Sequence, residues 1–234
     1  MIDPAAHDPQ NAMVGVLGGT FDPVHLGHLH AAECVRRVFA PRTILLVPCA
    51  LPPHKSRSDL APAEHRLAMP RIAVEETQGL QVSTVEIDRG GPSYTIDTMR
   101  SLARSVGAPV FIVGMDSLFE IHTWRDHADL LGEFDLVAVD RPGRDLERAR
   151  DDLDPEVVTR LVAVSYEPEA ARRLPPPPPG AGGRVYHLSI PLRAVSSSAV
   201  RAASARNERL DGLVPPGVAR YIRRQRLYEQ EDPR

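Results

Sequence analysis

The apolar run at residues 13–17, Met-Val-Gly-Val-Leu, leads straight into Gly18-Gly19-Thr20-Phe21-Asp22-Pro23-Val24-His25-Leu26-Gly27-His28. Beyond it, Leu29, Ala32, Val35 and Val38 recur near helical spacing. A short continuous apolar run bounded by glycines reads as a buried strand, and the later spacing reads as a helix. The eleven residues between are therefore a strand-to-helix loop. Such a unit needs a parallel partner strand and a covering helix, which commits the chain to an α/β sheet. In that architecture ligands bind outside the carboxyl ends of the strands, where this loop lies.

The residue types in the loop narrow the ligand. Gly18 and Gly19 have no Cβ, so backbone can approach a ligand closely. His25 and His28 stand three apart at the mouth of the helix and share a face. The helix N-terminus favours anions. Two imidazoles, backbone amides and a helix dipole at one point suit a nucleoside triphosphate on which negative charge grows. Plainer uses exist: a Gly-Gly turn can be only a turn, and a helical His can be surface or core. His25, His28 and His30 could also hold a metal, although HxxH lacks the i+4 partner of a zinc site. No GK[ST] follows the glycines, so the loop is not a Walker A motif.

At 234 residues the chain can bury the core of one full α/β domain. We read residues 1–12 as a loose extension and 13–234 as a single domain. Its net charge of −3 argues against a general nucleic-acid binder. No apolar run reaches membrane-spanning length, and no signal peptide opens the chain. Cys34 and Cys49 form no CxxC, which suits a reducing, cytoplasmic setting.

The pattern repeats along the chain. Strands are predicted over 43–47, 80–87, 109–113, 134–139 and 185–190, and helices over 62–77 and from Ser93 onward. Leu67, Ile72 and Val74 are the expected apolar positions of the 62–77 helix. Ser93 is a candidate N-cap, and Asp116 could cap the helix after the 109–113 strand. Residues 145–173 are charged and partly helical in expectation. Residues 174–183 hold five consecutive prolines and then Gly-Ala-Gly-Gly, a solvated inserted loop or a docking strip. Cations stand after two strands, Lys55 in Pro52-Pro53-His54-Lys55 and Arg141 in Arg141-Pro142-Gly143, where Arg can offer two donors to a phosphate. Trp124, the single Trp, lies in a polar context. Val195-Ser196-Ser197-Ser198-Ala199-Val200-Arg201 offers hydroxyls, amides and a cation at a helix start.

Residues 19–28 resemble the GTFDPxHxGH signature of the HxGH nucleotidyltransferase superfamily. Residues 195–201 resemble its second signature, ISSTxIR, with Val195, Ser198 and Val200 as mild departures. Residues 52–55 match its PPH[KR] segment, 114–118 its GxD[SA]L, and 213–222 its closing LVPxxVxxYI helix. Ser93-Tyr94-Thr95-Ile96-Asp97-Thr98 looks like the pyridine-nucleotide branch. The resemblance runs from about Val14 to Leu227, apart from the proline loop. It implies a doubly wound, mostly parallel, Rossmann-like sheet and adenylyl transfer from ATP to nicotinate mononucleotide. It implies His25, His28, Lys55 and Arg201 as catalytic, and ATP contacts from Gly18, Gly19, Thr20, Phe21, Gly114, Asp116, Val195, Ser196, Ser197 and Ser198. It implies that Lys55, Tyr94, Thr95, Trp124 and Arg141 meet the mononucleotide, with Trp124 stacked on the pyridine ring. Mg²⁺ would ride on ATP, since no carboxylate cluster is visible. Homo-oligomerisation is compatible with this. A phosphopantetheine adenylyltransferase or a cytidylyltransferase would share both signatures but has no use for Tyr94, Thr95, Trp124 and Arg141. A non-catalytic nucleotide-binding regulator has none for intact His25, His28, Lys55 and Arg201.

Overall fold

A computed structural model describes residues 13–53, 60–140, 152–167, 183–191 and 193–229. The expected extension at 1–12 and the proline loop, save Gly183, lie outside the described residues. Among the described residues, seven strands form one sheet: β1 Met13–Gly19, β2 Thr43–Pro48, β3 Leu80–Val82, β4 Ala108–Gly114, β5 Leu136–Val139, β6 Leu161–Ser165 and β7 Val185–Ser189. Their order is β3-β2-β1-β4-β5-β7-β6, and every pairing is parallel.

The pleat sends alternate residues to opposite faces. On one face Leu17, Ile44, Leu46, Ile112 and Val137 pack against α1 Leu26–Phe39, α2 Ala63–Glu75, α8 Ser197–Ala205 and α9 Pro216–Arg224. On the other, Val14, Val16, Leu45, Val47, Phe111 and Val113 pack against α4 Thr95–Val106, α5 Met115–Phe119 and α6 His127–Glu133. Both faces are covered, which is why β1 and β2 read as continuous apolar runs. At the centre, a Cβ on Gly15 would lie 2.8 Å from Ile44 Cγ1 and 3.1 Å from Ile112 Cδ1. Glycine there lets the two isoleucines close over β1.

Two elements differ from expectation. The strand expected over 80–87 stops at Val82, and α3 Val85–Arg89 follows. β3 is an edge strand that pairs with β2 over three residues, and Thr84 then starts a helical turn by bonding Asp88 through side chain and backbone. Among the described residues of 145–173 the helix is α7 Pro155–Arg160, capped by Asp154. It runs directly into β6, which was not foreseen. β6 is the other edge and mostly exposed; its short apolar run follows α7 without a break, so periodicity alone does not separate it from that helix.

In α2 the buried positions are Arg66, Met69, Pro70 and Ala73, while Leu67, Ile72 and Val74 are half-buried. Ser93 is not a cap: Tyr94 holds the N-cap position of α4, and the Ser93 hydroxyl accepts from the Ala50 N–H at 2.9 Å. Asp116 lies in the first turn of α5, whose cap position is Gly114. Among the described residues, no helix is long and apolar enough to cross a membrane.

Candidate active site

β1 ends between the ends of β2 and β4. The chain leaves β1 through α1 on one face and enters β4 from α4 on the other. That divergence opens a crevice at the carboxyl ends of the strands. Gly18 and Gly19 are still strand residues there, without positive φ. The left-handed residue of the loop is Phe21, at φ 48° and 1% exposed. A bulky residue in that region costs about 1–3 kcal/mol and persists only where its surroundings over-determine it. Here the Phe21 ring is buried edge-on to His28, centroids 5.1 Å apart.

His25 takes the N-cap position of α1 and is 4% exposed. Its ring stacks on that of His28, centroids 3.6 Å apart and planes 26° apart. The His25 backbone N–H donates to His28 Nδ1 at 3.2 Å. An accepting Nδ1 leaves the proton of neutral His28 on Nε2, so Nε2–H is a donor of fixed direction. His30 is committed elsewhere, 2.7 Å from the Pro191 carbonyl. Among the described residues, no three His, Cys, Asp or Glu converge as a metal site.

The 195–201 segment is tied onto this loop. Ser196 caps α8 by accepting from the Ala199 N–H. Ser197 Oγ donates to the Pro23 carbonyl at 3.0 Å. Arg201 Nη1 donates to the Asp22 carbonyl at 2.7 Å, and Nη2 to Ser198 Oγ at 3.3 Å. Val195 passes over α1 so closely that a Cβ on Gly27 would lie 3.1 Å from its carbonyl oxygen and 3.0 Å from the His25 ring. Leu17, His25, His28, Gly114, Asp140 and Val195 line one cleft. Asp140 stands 2.7 Å from His187. Burial works to raise its pKa, but hydrogen bonds from His187 and Ser189 outweigh that and hold the carboxyl below its usual range. Asp116 is exposed, in the first turn of α5.

Tyr94, Thr95 and Trp124 form a second group on the α4 side. A Cβ on Gly18 would touch the Phe111 ring at 3.3 Å, and that ring meets half-buried Trp124 edge-to-face at 6.0 Å. The Arg125 guanidinium lies 4.6 Å from the centroid of the Tyr94 ring. Thr95 opens α4. Lys55 and Arg141 lie outside the described residues.

A cytidylyltransferase-like family model matches residues 16–203, which carry both signatures. A probable nicotinate-nucleotide adenylyltransferase of Symbiobacterium thermophilum is 44% identical over 219 residues, covering 93% of this chain and 95% of that one. The chain belongs to the nicotinate-nucleotide adenylyltransferases, within the cytidylyltransferase-like family. A probable nicotinate-nucleotide adenylyltransferase of Geobacter sulfurreducens is 38% identical, covering 93% and 98%. The fold matches a Plasmodium falciparum nicotinic acid mononucleotide adenylyltransferase solved with NaAD, at TM-score 0.69 and 18% identity, covering 92% and 97%.

For a nicotinate-nucleotide adenylyltransferase, sequence reasoning passed over several residues that hold the site. Arg66 is 2% exposed and donates to the carbonyls of Thr20, Cys49, Ala50 and Ala61, joining the loops after β1 and β2 to the start of α2. Its position on a helical face reads as surface unless the neighbouring loops are known. Glu86 is buried and accepts from Thr98 Oγ1 at 2.6 Å. Burial raises its pKa against the hydrogen bonds from Ser93 and Thr98.

A raised carboxyl favours folding while it is neutral. That contribution is complete below the ordinary carboxylate range and is lost as pH rises through the raised value. Glu86→Gln removes this dependence. The Tm of the variant relative to wild type should therefore climb as pH rises above the ordinary carboxylate range and through the raised value. Calorimetry across that range checks it, and a pH-independent difference would mean that Glu86 titrates alike in both states.

Proposed function

We propose that the chain transfers the adenylyl group of ATP to nicotinate mononucleotide, releasing pyrophosphate and forming deamido-NAD. The observation that carries this is the stacked His25–His28 pair at the N-terminus of α1, tied to the Arg201 end of α8. The mononucleotide phosphate is already a nucleophile and needs no general base. Its oxygen attacks the α-phosphorus in line, forming one P–O bond as the bond to the bridging α–β oxygen breaks. The electron pair leaves with pyrophosphate. Alignment and charge stabilisation are what remain for the protein to supply.

In this scheme His28 Nε2–H donates to a phosphate oxygen where charge develops, and buried His25 holds the His28 ring against rotation. Arg201 and Lys55 supply positive charge to the phosphates. Gly18, Gly19, Thr20, Phe21 and Val195 through Ser198 shape the ATP side, with Gly114 and Asp116 toward the ribose. Tyr94, Thr95, Trp124 and Arg141 receive the acceptor. Magnesium would enter with its nucleotide as MgATP. We place the enzyme in the cytoplasm, a setting that suits its two buried free cysteines.

Acceptor choice tests the reading. Trp124 can stack on the nicotinate or the nicotinamide ring alike, so it contributes affinity and little selectivity. Selectivity then comes from backbone donors around the carboxylate, with the first-turn amides of α4 as candidates. A charged acceptor binds such donors more tightly than a neutral amide, and an amide leaves buried donors facing its own N–H groups. We expect kcat/KM at least about tenfold higher for nicotinate mononucleotide than for the amide, one decade being about 1.4 kcal/mol. Trp124→Ala should weaken both acceptors by similar factors. Steady-state assays with ATP and a panel of acceptors measure this. Equal rates would overturn acid selectivity, and no turnover with either would overturn the proposed function.

A further inference from the structure

The buried carboxylate of the first signature is held from the far end of the chain. Asp22 is 2% exposed. Its Oδ1 accepts from the Tyr228 hydroxyl at 2.7 Å, and its Oδ2 accepts no hydrogen bond among the described residues. On its other side Arg201 bonds the Asp22 carbonyl and lies 4.0 Å from Oδ2. The carboxylate thus stands between a hydroxyl and the guanidinium that the proposed function gives to the phosphates.

The segment beyond α9 is built to bring the hydroxyl there. Arg226 and Tyr228 are both left-handed, at φ 51° and 67°, a region that non-glycine residues avoid. Leu227 between them is buried, its N–H donates to the Ile222 carbonyl, and its own carbonyl accepts from Ser204 Oγ at 3.0 Å. Ser204 lies three residues after Arg201 on α8. One helix therefore carries Arg201 and anchors the segment that carries Tyr228. Burial, then the charge and hydrogen bond of Asp22, push the Tyr228 phenol well above its ordinary value, so it stays a donor.

We infer that Tyr228 is a positioning residue of adenylyl transfer, acting through Asp22 on Arg201. The hydroxyl sets the rotamer of a buried carboxylate, and the carboxylate holds the guanidinium in register with the His25–His28 loop. This inference rests on the proposed function.

Tyr228→Phe keeps the ring and removes the bond. We expect kcat to fall about tenfold in folded protein, with KM for nicotinate mononucleotide unchanged within about twofold. In an Arg201→Ala background the same change should cost less than about twofold, because contacting residues couple. Additive losses, or full kcat in Tyr228→Phe with only a lowered Tm, would overturn the inference. Should Tyr228→Phe not fold, Asp22→Asn retains an acceptor for Tyr228 and removes the charge facing Arg201. It should show the same loss in kcat, and wild-type kcat would overturn the inference. Wild-type protein that forms no deamido-NAD would overturn the proposed function itself. Wild-type protein that forms it beside a fully active Tyr228→Phe would overturn this inference alone.

Discussion

His28→Ala should lower kcat for adenylyl transfer by about 10²- to 10³-fold, the usual cost of one preorganised donor at developing charge. The argument rests on direction as much as on chemistry. His28 Nδ1 is occupied by the His25 N–H, and one ring face is covered by the His25 ring. The ring cannot swing without losing both, so Nε2–H needs no reorganisation as charge builds. ATP binding should change less, because the helix terminus, Arg201 and the 195–198 segment remain. Pre-steady-state bursts with separate titration of ATP affinity would distinguish the two. Near-normal turnover would remove His28 from the mechanism.

Gly27→Ala should lower kcat/KM by about tenfold while leaving stability close to wild type. Gly27 sits in α1 with no positive φ, so alanine meets no backbone strain. Alanine also favours the helix by about 1 kcal/mol over glycine, which offsets part of the crowding. The crowding falls on the site. The new methyl would press on the His25 ring at 3.0 Å and on the Val195 carbonyl at 3.1 Å. Relief requires parting the two signatures or tilting the stacked imidazoles by a few tenths of an ångström. Misplacement of about 1 Å can cost about 10²-fold, so a smaller shift takes a smaller share. Paired measurement of Tm and kcat/KM checks this. Full activity would mean that α1 and the 195–198 segment move apart freely without consequence.

The glycine of the HxGH pattern shows what a motif can and cannot reveal. Its place in the sequence is plain, but its partner across the gap lies 168 residues away, and only the folded chain shows that a methyl group there would crowd both signatures. Gly18 and Gly19 show the reverse. They look like the hinge of the loop, yet they end a strand, and the residue that turns the chain is Phe21. A left-handed phenylalanine has no local signal, because its conformation is imposed by burial against His28.

What the sequence determined by itself is whatever depends on near neighbours. Unbroken apolar runs with helical spacing between them require a parallel sheet covered on both faces, and β1, β2, β4, β5 and β7 were legible for that reason. So were the strand-end loops and helix starts that carry the candidate residues. At the edges the expected 80–87 strand shrank to β3, with 85–87 passing into α3, and β6 was missed because its short apolar run follows α7 without a break. Tertiary structure alone decided the supports of the site. Ser93 resembles a cap and instead receives the Ala50 N–H; Arg66 resembles a surface arginine and instead gathers four carbonyls; Tyr228 resembles a tail residue and instead reaches Asp22. Each is a polar group whose partner is remote in the chain. A polar side chain carries no mark of where it will be buried, whereas an apolar run carries its own reason to be.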